Sequence, residues 1–392
     1  MHVKKVILVF LLWFAGLGAA AQFAKIAVPF DAVQAQYPHF DAELGWLLSL
    51  ISLVGAVLGI VGGALVGGFG ARRILLSGLV LGAAISFWQA SLPSLPMMLI
   101  SRVLEGLAHL AIVVAAPTLI AQLASDHYRG AAMTLWGTFF GVAFVLVAWL
   151  SEPLQAQGGL SLLFIAHGAA MLVIALLLAI GLANDGDDTA GRNGFGLSDV
   201  LSQLLAQHAI SYRSPFISAP GIGWLFYTFT FVSLLTILPQ LVPDHQSAWL
   251  AGLMPLVSII TSMIMVPVLL HFTSGINVTI IGLSSAMLVV VGALAGADLM
   301  LVGVALFAAL GLVQGATFAA IPELNTSTET RALSYGVMAQ TGNIGNLVGT
   351  PVLLAVLVGG GQAAMFAAAI GAYMLAIAAH IILHRRRNIQ NR

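Results

Sequence analysis

The sequence predicts an all-α polytopic membrane protein, with about twelve transmembrane helices in two pseudo-symmetric six-helix bundles. Three observations predict it. Of 392 residues, 60% are hydrophobic and 7% charged, and the mean hydropathy is +1.04, whereas an ordinary soluble domain is roughly a quarter charged. The apolar residues form continuous runs instead of the alternation of a barrel strand. Landmarks in the first half also recur in the second at a nearly constant offset.

A bilayer core of about 30 Å takes ~20 apolar residues in a helix. Cutting the runs at charges, prolines and turn clusters gives spans at 6–29, 44–68, 74–92, 96–122, 131–151 and 161–183, then 220–241, 247–270, 276–296, 299–322, 332–357 and 362–383. The first run continues well past the length of a signal-peptide core, so it reads as a span. The stretch 247–297 contains no Asp, Glu, Lys or Arg and divides at His271–Gly275. Residues 1–183 are expected to form the N-terminal bundle, 184–219 a cytoplasmic linker, and 220–392 the C-terminal bundle with a basic tail. The linker opens with Asn184, Asp185, Gly186, Asp187 and Asp188. Leu197, Val200, Leu201, Leu204 and Leu205 at helical spacing, with Ser198 as the N-cap, predict a short amphipathic helix.

With the N-terminus in the cytoplasm, Lys4, Lys5, Arg72, Arg73, Arg129, Arg192, Arg213, Arg331, Arg385, Arg386, Arg387 and Arg392 all fall inside, 12 of the 14 basic residues. This is the positive-inside pattern. It predicts an inner-membrane protein with both termini cytoplasmic; a monomer is expected. The repeat runs through the same spans. Trp46 and Trp249 lie 203 residues apart, each followed by Leu-Val at the same distance (Leu53-Val54, Leu256-Val257). Gly78 and Gly282 are 204 apart and Arg129 and Arg331 are 202 apart. Glu105-Gly106 has a looser echo in Gln314-Gly315. Two parallel six-helix halves are a transporter architecture, with solute bound between them near the midplane.

The junction of spans 2 and 3, Gly63-Ala-Leu-Val-Gly67-Gly-Phe-Gly70-Ala-Arg72-Arg73, resembles the first signature of the major facilitator superfamily. Gly67 stands where that family usually has Asp, so the charge-relay role of the Asp does not carry over. Arg102-Val-Leu-Glu105-Gly106-Leu-Ala in span 4 is similar to the second signature. The Gly-Pro pair of the antiporter signature is missing from span 5, where Gly137 and Gly141 remain. The resemblance implies a gradient-driven secondary transporter working by alternating access, with Gly63, Gly67, Gly70, Arg72 and Arg73 in a gating loop.

Charge at the membrane centre costs at least ~2.5–3.5 kcal/mol per residue, so each intramembrane charge needs a reason. Arg102, Glu105 and His109 share one stripe of span 4, with Arg102 and His109 within about 20° of each other and Glu105 about 60° away. Glu105 and His109 are the expected proton-coupling groups. Lys25, Arg102, Gln22, Gln314, Gln340 and Asn343 are the expected solute-binding ones. Gly342, Gly345 and Gly349 read as a helix-packing seam, joined by Asn346. His167 and His380 have no charged neighbour in sequence and read as structural.

Lys+Arg and Asp+Glu balance at 14 each, without the basic excess of a nucleic-acid binder. There is no cysteine, no metal-ligand spacing and no phosphate-binding loop, so neither an enzyme nor a bound cofactor is expected. The expected partners are the lipid bilayer, a small-molecule solute and protons. The reading is a proton-coupled carrier of a small organic solute, possibly an anion. The alternatives are a proton-driven efflux pump for hydrophobic compounds and a non-transporting sensor or scaffold.

Overall fold

The computed structural model describes residues 3–40, 42–61, 69–125, 132, 135–183 and 206–390. Among them all regular structure is helical: α1 Val3–Ala27, α2 Phe30–Gln36, α3 Gly45–Ser49, α4 Leu53–Leu58, α5 Ala71–Gln89, α6 Leu95–Leu123, α7 Phe139–Gly181, α8 Ser218–Ile237, α9 Asp244–Leu270, α10 Gly275–Leu294, α11 Leu299–Leu324 and α12 Thr328–Gln390. Nine described helices are long and apolar enough to cross a membrane. Two of the nine are double. α7, 43 residues long, breaks at Gly159 with φ 64°, and α12, 63 residues long, breaks at Gly361 with φ 75°. Only glycine takes these dihedrals without strain, so each break is a turn between two spans. The remaining expected span, 44–68, is present as α3 and α4 interleaved with 3-10 turns, and 62–68 lie outside the described residues. Serine and glycine at 49, 52, 55 and 59 weaken the α-helical preference there. Over the described residues the spans expected from sequence are thereby accounted for, with 131, 133 and 134 of the span expected at 131–151 also lying outside them.

Local signals set the boundaries. Ser274 accepts from the Asn277 backbone N–H at the start of α10, and Asp298 accepts from that of Leu301 at the start of α11, each satisfying a helix-end donor. Gly70 starts α5 with φ 90°, a conformation that reserves the position for glycine. The amphipathic helix expected at 197–205 lies outside the described residues, while 206–213 are helical.

Contacts divide the chain into two compact units, Met1–Tyr37 with Val61–Ser202, and Pro38–Ile60 with Gln203–Arg392. Sequence reading assigns 38–60 to the N-terminal bundle. In the structure this segment packs in the second unit, where small residues let its backbone approach α12. A Cβ on Gly45 would lie 3.0 Å from Pro351 Cα, and one on Gly59 would lie 2.9 Å from Gln340 Cα.

The first unit packs α1, α5, α6 and α7 around Leu12, Leu75, Leu79, Ile112, Ile120 and Leu178, all fully buried or nearly so. The repeat reappears as a shared contact. A Cβ on Gly78 of α5 would stand 3.1 Å from the Ala108 carbonyl oxygen of α6, and one on Gly282 of α10 would stand 3.0 Å from that of Ala309 of α11. In the second unit Gly342, Gly345 and Gly349 of α12 face Trp224, Thr228 and Phe229 of α8, the close seam that small residues permit. Basic side chains bond backbone carbonyls in each unit. Arg72 donates to the Ala179 carbonyl in the first; Arg331, Arg386 and Arg387 donate to the carbonyls of Asn325, Arg213 and Pro215 in the second.

Candidate functional site

Lys25 stands two residues before the end of α1, Arg102 and Glu105 lie in the first half of α6, and all three are completely buried. An isolated ion of this kind loses several kcal/mol of hydration, so its neighbours must replace water. Lys25 Nζ donates to Glu105 Oε1 at 2.7 Å and to Ser86 Oγ at 2.5 Å. Arg102 Nη1 donates to Glu105 Oε2, one turn along the same helix. Gln89 Nε2 of α5 donates to that same oxygen at 3.0 Å and to Ser101 Oγ at 3.0 Å. One carboxylate thus serves two cations and an amide, through charge-assisted bonds. The trio Lys25, Arg102 and Glu105 carries one net positive charge.

His167, from the second span of α7, closes the cluster. Its Nε2 lies 2.9 Å from the Gly18 carbonyl oxygen. That oxygen can only accept, so Nε2 carries the hydrogen. Nδ1 then faces Ser86 Oγ at 2.7 Å and Lys25 Nζ at 3.4 Å as an acceptor. The Phe164 ring lies beneath Lys25, 5.5 Å from Nζ, near enough for a cation–π contribution.

His109 sits one turn beyond Glu105 on α6. Its Nδ1 donates to the Ala19 carbonyl at 3.1 Å, and its ring meets Phe23 edge-on with centroids 5.1 Å apart. It therefore lies on the expected stripe beside the cluster, bonded to α1. Gln22 is one turn before Lys25 on α1 and fully buried, yet neither its amide nitrogen nor its amide oxygen has a hydrogen-bond partner. It rests against Gly82 of α5, whose missing side chain leaves room for it.

The structure thus brings Gln22, Lys25, Arg102, Glu105 and His109 together from α1 and α6. The second-unit expectations are placed differently. Gln314 Oε1 accepts from Ser258 Oγ at 3.2 Å, tying α11 to α9. Gln340 donates to the Ala56 carbonyl at 2.9 Å, bonds His208 Nε2 at 2.6 Å and accepts from Tyr212 Oη at 2.8 Å. Asn343 bonds the Ala339 carbonyl of its own helix and abuts Gly55. These amides are engaged in helix contacts and do not converge on one point. In the 2–3 junction, Gly70, Arg72 and Arg73 are placed at the start of α5, while Gly63 and Gly67 lie outside the described residues.

Sequence reading missed His167, Ser86, Gln89 and Ser101. The α5 members carried a usable signal: Gly82, Ser86 and Gln89 repeat at helical spacing and form a small and polar stripe in an apolar span. His167 carried none, because its partner Lys25 is 142 residues away.

The sequence profile described as Major Facilitator Superfamily matches residues 8–350. The chain belongs to this superfamily. It is a multi-pass membrane protein of this superfamily. Among curated relatives, the galactose-proton symporter of Escherichia coli (strain K12) is 29% identical over 157 residues, 40% of this chain and 32% of the relative. The niacin transporter NiaP of Acinetobacter baylyi is 26% identical over 172 residues, 43% of this chain and 39% of the relative. The alignments thus span about a third of the length of these relatives. Among solved structures, a bacterial homologue of the human lysosomal transporter Spinster, inward-facing and unoccupied, has a TM-score of 0.70 at 15% identity, covering 98% of this chain and 95% of that one. It shares the superfamily fold.

Proposed function

We propose that this superfamily member is a proton-coupled carrier of a small organic anion across the cytoplasmic membrane, working by alternating access, with coupling at Glu105. The observation that carries this reading is the sharing of one carboxylate by two buried cations. A solute carboxylate that enters the cluster competes with Glu105 for Lys25 and Arg102. Two carboxylates facing the same pair of cations repel at short range in a medium of low dielectric. Protonating Glu105 removes that repulsion and lets the solute take over its bonds. The anion and the proton together leave the buried charge unchanged, so they enter as a pair. His109, one turn along the α6 stripe, and His167, beside Lys25, are the titratable groups nearest to pass the proton on. The proton in the name of the galactose-proton symporter is in keeping with this coupling, and niacin, a carboxylic acid, with the solute class.

Variants separate this reading from an efflux pump for neutral or cationic compounds. Arg102→Ala is expected to abolish anion binding, whereas such a pump keeps its substrates. Glu105→Gln is expected to retain anion binding while uptake loses its dependence on external pH. Fully pH-dependent uptake by Glu105→Gln would reduce Arg102–Glu105 to a helix-locking pair.

A further inference from the structure

Gln22 has no role in the charge balance above, and its state calls for an explanation. Buried amides are nearly always hydrogen-bonded, because an unmade bond costs the desolvation of the group with no return. Here both the donor and the acceptor of one fully buried side chain are empty. It lies one turn from Lys25 on the same helix face, and the residue opposite, Gly82, contributes no side chain. Beyond Gly82 on α5 comes Ser86, which bonds Lys25.

We infer that the solute is a monocarboxylate with a neutral hydrogen-bonding group, a hydroxyl or carbonyl, about one helical turn from its carboxylate, and that Gln22 binds that group. The inference rests on the anion reading above and specifies its substrate class. The carboxylate takes the place of Glu105 on Lys25 and Arg102, one for one, so a single negative charge fits. One helical turn is ~5.4 Å, which sets the spacing to the second group. A hydroxyl there finds both an acceptor and a donor on the Gln22 amide. A second carboxylate at Gln22 meets no further cation on α1, whose other basic residues, Lys4 and Lys5, lie about 25 Å or more along the helix at ~1.5 Å per residue. An uncharged amide gains nothing from Lys25 and Arg102.

The test uses the full chain purified in detergent and four probes of matched length: butyrate, 4-hydroxybutyrate, 4-hydroxybutanamide and succinate. Binding is followed by calorimetry and by thermal stabilisation in wild type, Gln22→Leu and Arg102→Ala. For wild type, 4-hydroxybutyrate is expected to bind about tenfold tighter than butyrate, the worth of one hydrogen bond, and tighter than the amide or succinate. Gln22→Leu is expected to bind butyrate and 4-hydroxybutyrate equally. Its ligand-free melting temperature should rise, because an unpartnered amide gives way to an apolar group of similar volume. A hydroxyl preference surviving in Gln22→Leu overturns the inference, as does equal binding of succinate or the amide, or binding of none of the four. Loss of butyrate binding in Arg102→Ala with a silent Gln22→Leu sinks this inference alone. Undiminished butyrate binding in Arg102→Ala sinks the anion reading as well.

Discussion

At the scale of single residues, the cluster assigns different consequences to its members. Lys25→Met removes one of two cations and leaves Arg102 and Glu105 as a matched pair. The large cost of breaking a buried pair comes from the uncompensated charge left behind, and Lys25→Met leaves none. Glu105→Leu does the reverse, leaving two cations facing each other without their carboxylate, and breaking a buried pair in this way costs ~3–5 kcal/mol. Thermal melting of the ligand-free protein should therefore leave Lys25→Met near wild type and lower Glu105→Leu markedly; equal losses would mean that the trio does not act as one electrostatic unit. The members on α6 were legible from sequence, because helical spacing alone puts Arg102, Glu105 and His109 on one stripe. Lys25 was legible as a charge out of place. That Lys25 and Glu105 touch was not legible, since no local rule links positions 80 apart in sequence. The same holds for His167. Gln340 shows the converse limit: an amide in an apolar span looks available for solute, and only the fold reveals its bonds to Ala56, His208 and Tyr212.

At the scale of helices, hydropathy located the spans well because each run had to satisfy its backbone inside lipid. The gaps expected at 152–160 and 358–361 hold the breaks at Gly159 and Gly361, where glycine takes a positive φ. The packing of 38–60 in the second unit was not legible, since a glycine-lined face fits any close partner. The repeat has a physical test at this scale. Gly78 and Gly282 do the same work, so Gly78→Val and Gly282→Val should each lower stability by ~1–3 kcal/mol, the usual cost of overpacking. Melting curves of the two variants should shift alike. A tolerated valine at either position would show that the paired contacts are not equivalent.

At the scale of the whole molecule, each unit has arginines bonded to backbone carbonyls, and the positive-inside rule leads us to expect the basic loops in the cytoplasm. Cysteines introduced at Ser198 and Gln390 into this cysteine-free chain should resist an impermeant thiol reagent in intact cells. Labelling of either would invert the orientation and with it the direction of the proton route. The central claim is that one carboxylate exchanges its cations for a proton as the solute anion arrives. Its most direct measurement is the number of protons taken up when the purified protein binds the monoanion that stabilises it best, in weakly buffered solution. Wild type is expected to take up about one proton per anion, so that affinity rises about tenfold for each unit of falling pH while Glu105 is ionised. Glu105→Gln is expected to bind the anion with no proton uptake and no such slope. Anion binding to wild type without proton uptake, or the same uptake in Glu105→Gln, would contradict the account.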